Sequence, residues 1–214
     1  MRYDTVFFDL DGTLIKSGPA IFATTRATLD EMGLACPDDE HMHKLIGPPL
    51  KMGFGEILKI PEDRIDEAIA RYRENAKTMG IALAAPYEGI LPMLKSLKEH
   101  GLRVGIVTSK VHSTALEQLA AFQIAQYLGF VRGAFSDGNG EKTALLQIAV
   151  KEFCTLENRP VMVGDRYFDL NAARNVGIDS IGVLYGYGER VEIENCNPTH
   201  IVKSVPELER LLIS

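Results

Sequence analysis

The chain reads Phe7-Phe8-Asp9-Leu10-Asp11-Gly12-Thr13-Leu14 close to its N-terminus. An apolar run too short for a helix leads into two carboxylates two positions apart, and then into an Asp-Gly turn. Residues at positions i and i+2 share one face while a chain stays extended. Two like charges held that close need a cation or a shared proton. The stretch therefore predicts a buried strand with an acidic site directly after it.

A second stretch of the same kind lies far along the chain. Residues 161–163 form a short apolar run, and Gly164, Asp165 and Asp169 follow it. In an open parallel sheet, ligands bind beyond the carboxyl ends of the strands. Carboxylate oxygens suit Mg²⁺, which keeps several waters and takes up phosphate oxygens. With Asp9 and Asp11, these acids predict a Mg²⁺ site at one edge of a sheet.

Short apolar runs alternate with helix-period segments over most of the chain. The strand-like runs are residues 5–10, 103–108, 160–164 and 179–184, with a weaker one at 199–202. This alternation predicts an α/β fold with a Rossmann-like parallel sheet and helices on both faces.

One long segment breaks the alternation. Residues 17–85 show no strand pattern, and two apolar stripes at helix spacing run from Ile21 to Met32 and from Ile65 to Met79. Such a block is too long for an ordinary crossover connection. We therefore predict a core domain of residues 1–16 and 86–214, with an inserted helical cap domain of residues 17–85.

Composition limits the classes of partner. The 214 residues carry a net charge of -6, which argues against a nucleic acid polymer, because phosphate-backbone binding needs a basic surface. A small anionic ligand remains compatible, since a bound cation reverses the local charge. No apolar run approaches the ~18 residues of a membrane span, and no signal or transit pattern precedes the first strand. We expect no membrane, a cytoplasmic location, and a monomer or weak homodimer.

Further residues form a candidate phosphate-binding set. Thr108 and Ser109 end a strand in two hydroxyls, which can bond phosphoryl oxygens together with backbone N–H groups such as those near Gly12. Lys142 begins a helix, where its charge opposes the helix dipole. We therefore expect that Lys142 is present because another feature of the protein requires a positive charge at this position. The Gly-rich tract before it lacks the spacing of a Walker phosphate loop.

The order of these elements resembles the haloacid dehalogenase superfamily over nearly the whole chain. Asp9-x-Asp11-Gly12-Thr13 is followed by Thr108, then Lys142, then Gly164-Asp165 with Asp169. The helical insertion looks like the family's type-1 cap. Residues 46–50, 108–110 and 164–166 look most like the phosphoglycolate phosphatase-like branch. One departure is Thr143, where relatives often carry Pro.

This resemblance implies a role for each candidate residue. Asp9 is the nucleophile that forms an aspartyl-phosphate, and Asp11 is the general acid and base. The Asp9 carboxylate, the Asp11 backbone carbonyl and Asp165 hold Mg²⁺, and Asp169 supports that site. Lys142 and Thr108 stabilise the phosphoryl oxygens.

The predicted activity is that of a Mg²⁺-dependent phosphatase acting on a small phosphorylated metabolite, such as phosphoglycolate or a nucleoside monophosphate. A phosphosugar mutase, an inorganic pyrophosphatase and a non-catalytic relative remain alternatives on the same scaffold. A metal-free dehalogenase is disfavoured by Asp11 and Gly12.

The insertion also contains a candidate substrate loop, residues 46–50. Gly47 allows a close backbone approach to a ligand, and Pro48 with Pro49 stiffens the loop. The alternative interpretation is a plain break between two helices of the insertion.

Overall fold

The computed structural model describes residues 2–136 and 140–214. Gly138 and Asn139 of the Gly-rich tract lie outside these residues. The strands are β1 Thr5–Phe8, β2 Ile15–Lys16, β3 Ala85–Pro86, β4 Arg103–Val111, β5 Phe130–Ala134, β6 Pro160–Gly164, β7 Asp179–Val183 and β8 His200–Val202. The α-helices are α1 Gly18–Glu31, α2 Asp39–His43, α3 Leu50–Met52, α4 Ile65–Ala82, α5 Ile90–Glu99, α6 His112–Ala121, α7 Lys142–Phe153, α8 Tyr167–Val176, α9 Arg190–Asn195 and α10 Val205–Ile213.

Six strands form one parallel sheet in the order β5-β4-β1-β6-β7-β8. The predicted α/β class is thereby confirmed. β1 lies between β4 and β6, and Phe8 aligns with both Ile106 and Val163. β5 was not among the strands predicted from the sequence, because Arg132 and Gly133 interrupt the apolar run of this edge strand.

The sheet has an apolar core on each face. Successive side chains of a strand point to opposite faces, so Val6 and Phe8 join one cluster while Phe7 joins the other. The first cluster is covered by α5, α6 and α10, and the second by α7 and α8. Burial on both faces explains why the central strands read as continuous apolar runs.

The segment between β2 and β3 is helical and contains an apolar cluster of its own. Leu29 of α1 and Ile69 of α4 pack there with Phe54, Ile60 and Ile65. β2 and β3 pair antiparallel, with Ile15 opposite Pro86, so the two connections to the sheet run side by side. These features support our proposal that residues 17–85 form a separate domain, joined to residues 1–16 and 86–214 at this pair.

None of the helices in the described part of the chain combines the length and apolar character that crossing a bilayer requires.

Candidate active site

The sheet topology brings the predicted residues to one edge. Asp9 directly follows β1, Thr108 lies late in β4, and Asp165 directly follows β6. Because these three strands are neighbours and parallel, their carboxyl ends meet at the same edge. Two strands thus deliver acids to one place, as the sequence predicts.

Three carboxylates form a buried cluster at this edge. Asp9, Asp165 and Asp169 each offer an oxygen, and these oxygens lie within 4.8 Å of one another. The three residues are 3%, 0% and 1% exposed. Burial raises the pKa of Asp9 to about 7 against the opposing charge of Lys142. Burial, followed by the charges of Asp9 and Asp169, raises the pKa of Asp165 to about 8.

Lys142 supplies a cation to this cluster. Its Nζ lies 2.5 Å from Asp9 Oδ1 and 2.8 Å from Asp169 Oδ1. Burial alone would lower the pKa of Lys142, but the two carboxylates outweigh that effect and raise it. The helix dipole disfavours a lysine at the start of α7. The two carboxylates are the negatively charged groups that require one there. Three buried carboxylates against one ammonium leave an all-oxygen site with excess negative charge, which is a donor set that fits Mg²⁺.

Asp165 is held by groups that lie far apart in sequence. Its Oδ1 accepts from the Thr13 hydroxyl at 2.9 Å, and its Oδ2 accepts from the Tyr187 N–H at 2.9 Å. Gly12 has φ +92°, and a Cβ there would lie 2.2 Å from Asp165 Oδ2. Gly12 thus allows the turn after β1 to approach Asp165. Sequence reasoning missed Tyr187, although Gly186 and Gly188 around it mark a tight loop.

Asp169 occupies a more central place than predicted. The family resemblance implies a supporting role for Asp169, and the structure places its carboxylate in contact with Lys142 and in the same cluster as Asp9. Its Oδ2 also accepts from the Arg166 N–H at 3.2 Å, which fixes the first turn of α8.

The hydroxyls of Thr108 and Ser109 have different surroundings, and both residues lie within β4, which continues past the predicted strand end to Val111. Thr108 is buried, lines the same cavity as Asp9 and Asp11, and accepts from the Lys110 N–H at 3.2 Å. The Ser109 hydroxyl donates to the Gly140 carbonyl at 2.8 Å. Ser109 thereby connects β4 to the segment before Lys142, and its hydroxyl proton is already in use. Phosphate binding by either residue stays a prediction.

A cavity of about 480 Å³ extends from the acids into the helical insertion. Asp9 and Asp11 line it on the sheet side, and Gly47 and Pro48 line it on the insertion side. Its remaining wall is mixed in polarity and includes Ile21, Thr25, Leu50, Phe54 and Arg73. The structure therefore places the predicted loop and two of the predicted acids, Asp9 and Asp11, on the wall of one cavity.

Arg166 is a further residue that the sequence analysis did not assign. Its Nη1 donates to the Ile46 carbonyl, and its Nε donates to Glu192 Oε1 at 2.8 Å. A Cβ on Gly47, which has φ +108°, would lie 3.2 Å from Arg166 Cγ. The residue next to Asp165 thus contacts the loop of residues 46–50. The Gly-Asp-Arg sequence at residues 164–166 was the signal that could have drawn attention to Arg166. The Ile46 carbonyl that Arg166 contacts lies 120 residues away in the chain.

Without a bound cation, the folded protein should lose stability as the pH rises. Asp9 and Asp165 have folded-state pKa values of about 7 and about 8, above the ~4 of an unfolded Asp. Their contribution to stability is complete below the unfolded value and is lost as the pH passes through the folded values. Melting temperatures in EDTA should therefore fall between about pH 5 and pH 9.

The matched control for that measurement is Asp165→Asn, which removes one of the two titrating carboxyls. Its melting temperature should depend less on pH than that of the wild type. If the wild-type melting temperature in EDTA rises over the same range, the raised pKa values are wrong.

The chain is similar to known proteins over its whole length. Residues 6–183 match the family model described as Haloacid dehalogenase-like hydrolase. The chain is 34% identical to "Tyrosine-protein kinase PtkA" of Mycobacterium tuberculosis, over 97% of this chain and 72% of that protein. It is 30% identical to a "5'-nucleotidase" of Pseudomonas aeruginosa, over 100% of this chain and 97% of that protein.

Solved structures agree with this match. The fold superposes on the crystal structure of a predicted phosphatase from Clostridium acetobutylicum with a TM-score of 0.91. The two are 32% identical, and the match covers 99% of this chain and 98% of the other. Since the family model spans the insertion, the acidic cluster and the sheet as far as β7, the chain belongs to the haloacid dehalogenase-like hydrolases and is an enzyme of the phosphatase kind.

Proposed function

We propose that this enzyme is a Mg²⁺-dependent phosphatase that hydrolyses a small phosphate monoester through an aspartyl-phosphate on Asp9. The observation that carries the proposal is the position of Asp9. Its carboxylate belongs to the buried acidic cluster, contacts Lys142, and lines the same cavity as Asp11. The proposed nucleophile thus contacts an ammonium group and lines a cavity that the proposed acid also lines.

Asp9, Asp165 and Asp169 are the side chains that would hold Mg²⁺, with the backbone carbonyl of Asp11 as a further ligand. The bound ion would screen the charge between the Asp9 carboxylate and the substrate phosphate. Asp9 attacks phosphorus, while Lys142 and Thr108 stabilise the oxygens of the transferred group. Asp11 gives a proton to the leaving oxygen and then takes one from the water that releases phosphate.

The cavity supports a leaving group with both polar and apolar parts. Among the described residues, the hydroxyls of Ser17 and Thr25 are buried without a hydrogen-bond partner, and both residues line the cavity. Leu50 and Phe54 supply apolar wall nearby. A nucleoside monophosphate fits this mixture, and it agrees with the name of the Pseudomonas aeruginosa relative. Phosphoglycolate, suggested by the branch-level resemblance, is the smaller candidate.

Three alternatives use the same site. A phosphosugar mutase would return the phosphoryl group to a sugar, an inorganic pyrophosphatase would take pyrophosphate, and a non-catalytic relative would do neither. The chain carries Asp9, Asp11, Lys142 and Asp165, and these side chains support a catalytic protein over a non-catalytic one. We further propose a cytoplasmic enzyme that is a monomer or weak homodimer and binds no nucleic acid polymer.

The deciding experiment is a phosphate-release screen with Mg²⁺ over four substrates: phosphoglycolate, a nucleoside monophosphate, a sugar phosphate and pyrophosphate. Sugar isomerisation that depends on a bisphosphate activator would identify the mutase instead. A parallel incubation with labelled ATP and a tyrosine peptide tests the transfer named for the mycobacterial relative. Absence of phosphate release from all four substrates would contradict the proposed function.

The loop of residues 46–50 should control substrate binding through its backbone. Gly47 has φ +108°, and a Cβ there would lie 3.2 Å from Arg166 Cγ. A side chain at this position would therefore strain the loop as well as occupy space available to a ligand. Gly47→Ala should cost about 1–3 kcal/mol of stability. It should also raise KM for the best substrate, because the loop moves. Calorimetry and steady-state kinetics measure the two effects.

The matched control is Gly33→Ala, since Gly33 also has a positive φ but nothing lies within 4 Å of a Cβ built there. Gly33→Ala should lose stability and keep the wild-type KM. Equal KM values for the two variants would leave the loop with a structural role only.

A further inference from the structure

Lys110, near the end of β4, makes two contacts that the sequence does not predict. Its Nζ lies 2.7 Å from Asp11 Oδ1 and 2.7 Å from Gln118 Oε1. An ammonium group has three donors and no acceptor. Two of the three are used here, on partners that both line the cavity. Lys110 therefore holds one oxygen of Asp11 and leaves the other, Oδ2, for proton exchange.

Gln118 connects this pair to the helical insertion. Its side chain lies on α6, belongs to a residue only 4% exposed, and uses both ends of its amide. Oε1 accepts from Lys110, and Nε2 donates to the Gly80 carbonyl at 3.3 Å. Gly80 lies in the last turn of α4, where carbonyls lack a full set of intrahelical donors. One buried amide thus connects α4 to the Lys110–Asp11 pair.

We propose that Gln118 and Lys110 are positioning residues that orient Asp11 for proton transfer while α4 is docked over the sheet. The inference rests on the proposed function, in which Asp11 is the acid. In the first step an Asp9 oxygen bonds to phosphorus, and the bond from phosphorus to the leaving oxygen breaks. That oxygen keeps the electron pair and takes the proton of Asp11. In the second step water attacks phosphorus, the bond to Asp9 breaks, and Asp11 takes a proton from the water.

Docking of α4 controls this arrangement through the hydrogen bond from Gln118 to Gly80. If α4 moves away from the sheet, Gln118 loses its acceptor and its amide is free to turn away from Lys110. Asp11 is then held less firmly. The acid is in place when the cavity is enclosed, so protonation of the leaving group is linked to enclosure of the substrate.

The test compares two substrates that differ in their need for a proton. The p-nitrophenolate leaving group is a weak base and departs with little help, whereas the alkoxide of β-glycerophosphate needs protonation. Steady-state kinetics and melting temperatures are measured for the wild type, Asp11→Asn, Lys110→Met, Gln118→Met and the Lys110→Met/Gln118→Met double variant. Gln126→Met, at an exposed position outside the cavity, is the matched control.

Lys110→Met and Gln118→Met should each lower kcat on β-glycerophosphate by about 10- to 100-fold, and kcat on p-nitrophenyl phosphate by less than about 3-fold. Because Gln118 acts through Lys110, the double variant should lose no more than Lys110→Met alone. Gln126→Met should match the wild type. If Gln118→Met does not fold, Gln118→Glu keeps the acceptor for Lys110 but cannot donate to Gly80, and it should show the same substrate-dependent loss.

Equal losses on the two substrates in the Lys110 and Gln118 variants, or additive losses in the double variant, overturn the inference. Asp11→Asn distinguishes a wrong role for Asp11 from wrong positioning roles for Lys110 and Gln118. If Asp11→Asn discriminates between the substrates while the other variants do not, only the positioning roles are wrong. If Asp11→Asn affects both substrates equally, the proposed role of Asp11 fails and the positioning roles fail with it.

Discussion

Asp9→Asn should yield a folded protein whose turnover is lower by on the order of 10⁴-fold or more. The amide is nearly isosteric with the carboxylate but cannot serve as the nucleophile. Phosphate release on the best substrate measures the loss, and mass spectrometry of acid-quenched protein should show a phosphoenzyme in the wild type alone. Retention of about a tenth of wild-type turnover would contradict covalent catalysis by Asp9.

The structure adds an expectation about the stability of that variant. Asp9 is one of three clustered buried carboxylates, and Lys142 contacts two of them, Asp9 and Asp169. Asp9→Asn removes one of the like charges, and Asp169 still pairs with Lys142 at 2.8 Å. The metal-free melting temperature should therefore not fall below that of the wild type. The control is Asp30→Asn, at an exposed position late in α1, which should keep full activity.

The sheet and its acidic edge were predictable because local signals specify them. An apolar run ending in acids identifies β1 with Asp9, and the same pattern identifies β6 with Asp165. Lys142 could be found from its unusual place at the start of a helix. Edge strand β5 was missed because it is only partly buried and contains Arg132 and Gly133.

The contacts that complete the site could not be predicted, because each joins residues far apart in the chain. Lys110 meets Asp11 across 99 positions, and Tyr187 meets Asp165 across 22. No local pattern distinguishes Lys110 from a solvated surface lysine. Only the packing of the insertion against the sheet places Gln118 between Lys110 and the carbonyl of Gly80. Positions of acids are thus set by strand ends, whereas their orientation depends on tertiary structure.

Removal of divalent metal should abolish activity, and Mg²⁺ should restore it. Asp9, Asp165 and Asp169 are buried within 4.8 Å of one another, and Lys142 offsets only part of their charge. A cation in this site would screen the repulsion among these carboxylates and between Asp9 and an incoming phosphate, so we expect activity to depend on it. Ca²⁺ should replace Mg²⁺ poorly, because it takes about 6–8 ligands in looser geometry and so misplaces the nucleophile.

A binding measurement separates metal binding from catalysis in this experiment. Mg²⁺ should raise the melting temperature of the chelated wild type, because a ligand that binds only the folded state stabilises it. The shift should be larger at pH 8 than at pH 6, where the carboxyls with pKa values of about 7 and about 8 hold more protons that compete with the cation. Asp165→Asn should reduce the shift, whereas Asp30→Asn should leave it unchanged. Full activity after exhaustive chelation, or an equal Mg²⁺ shift in Asp165→Asn, would show that this cluster is not the metal site.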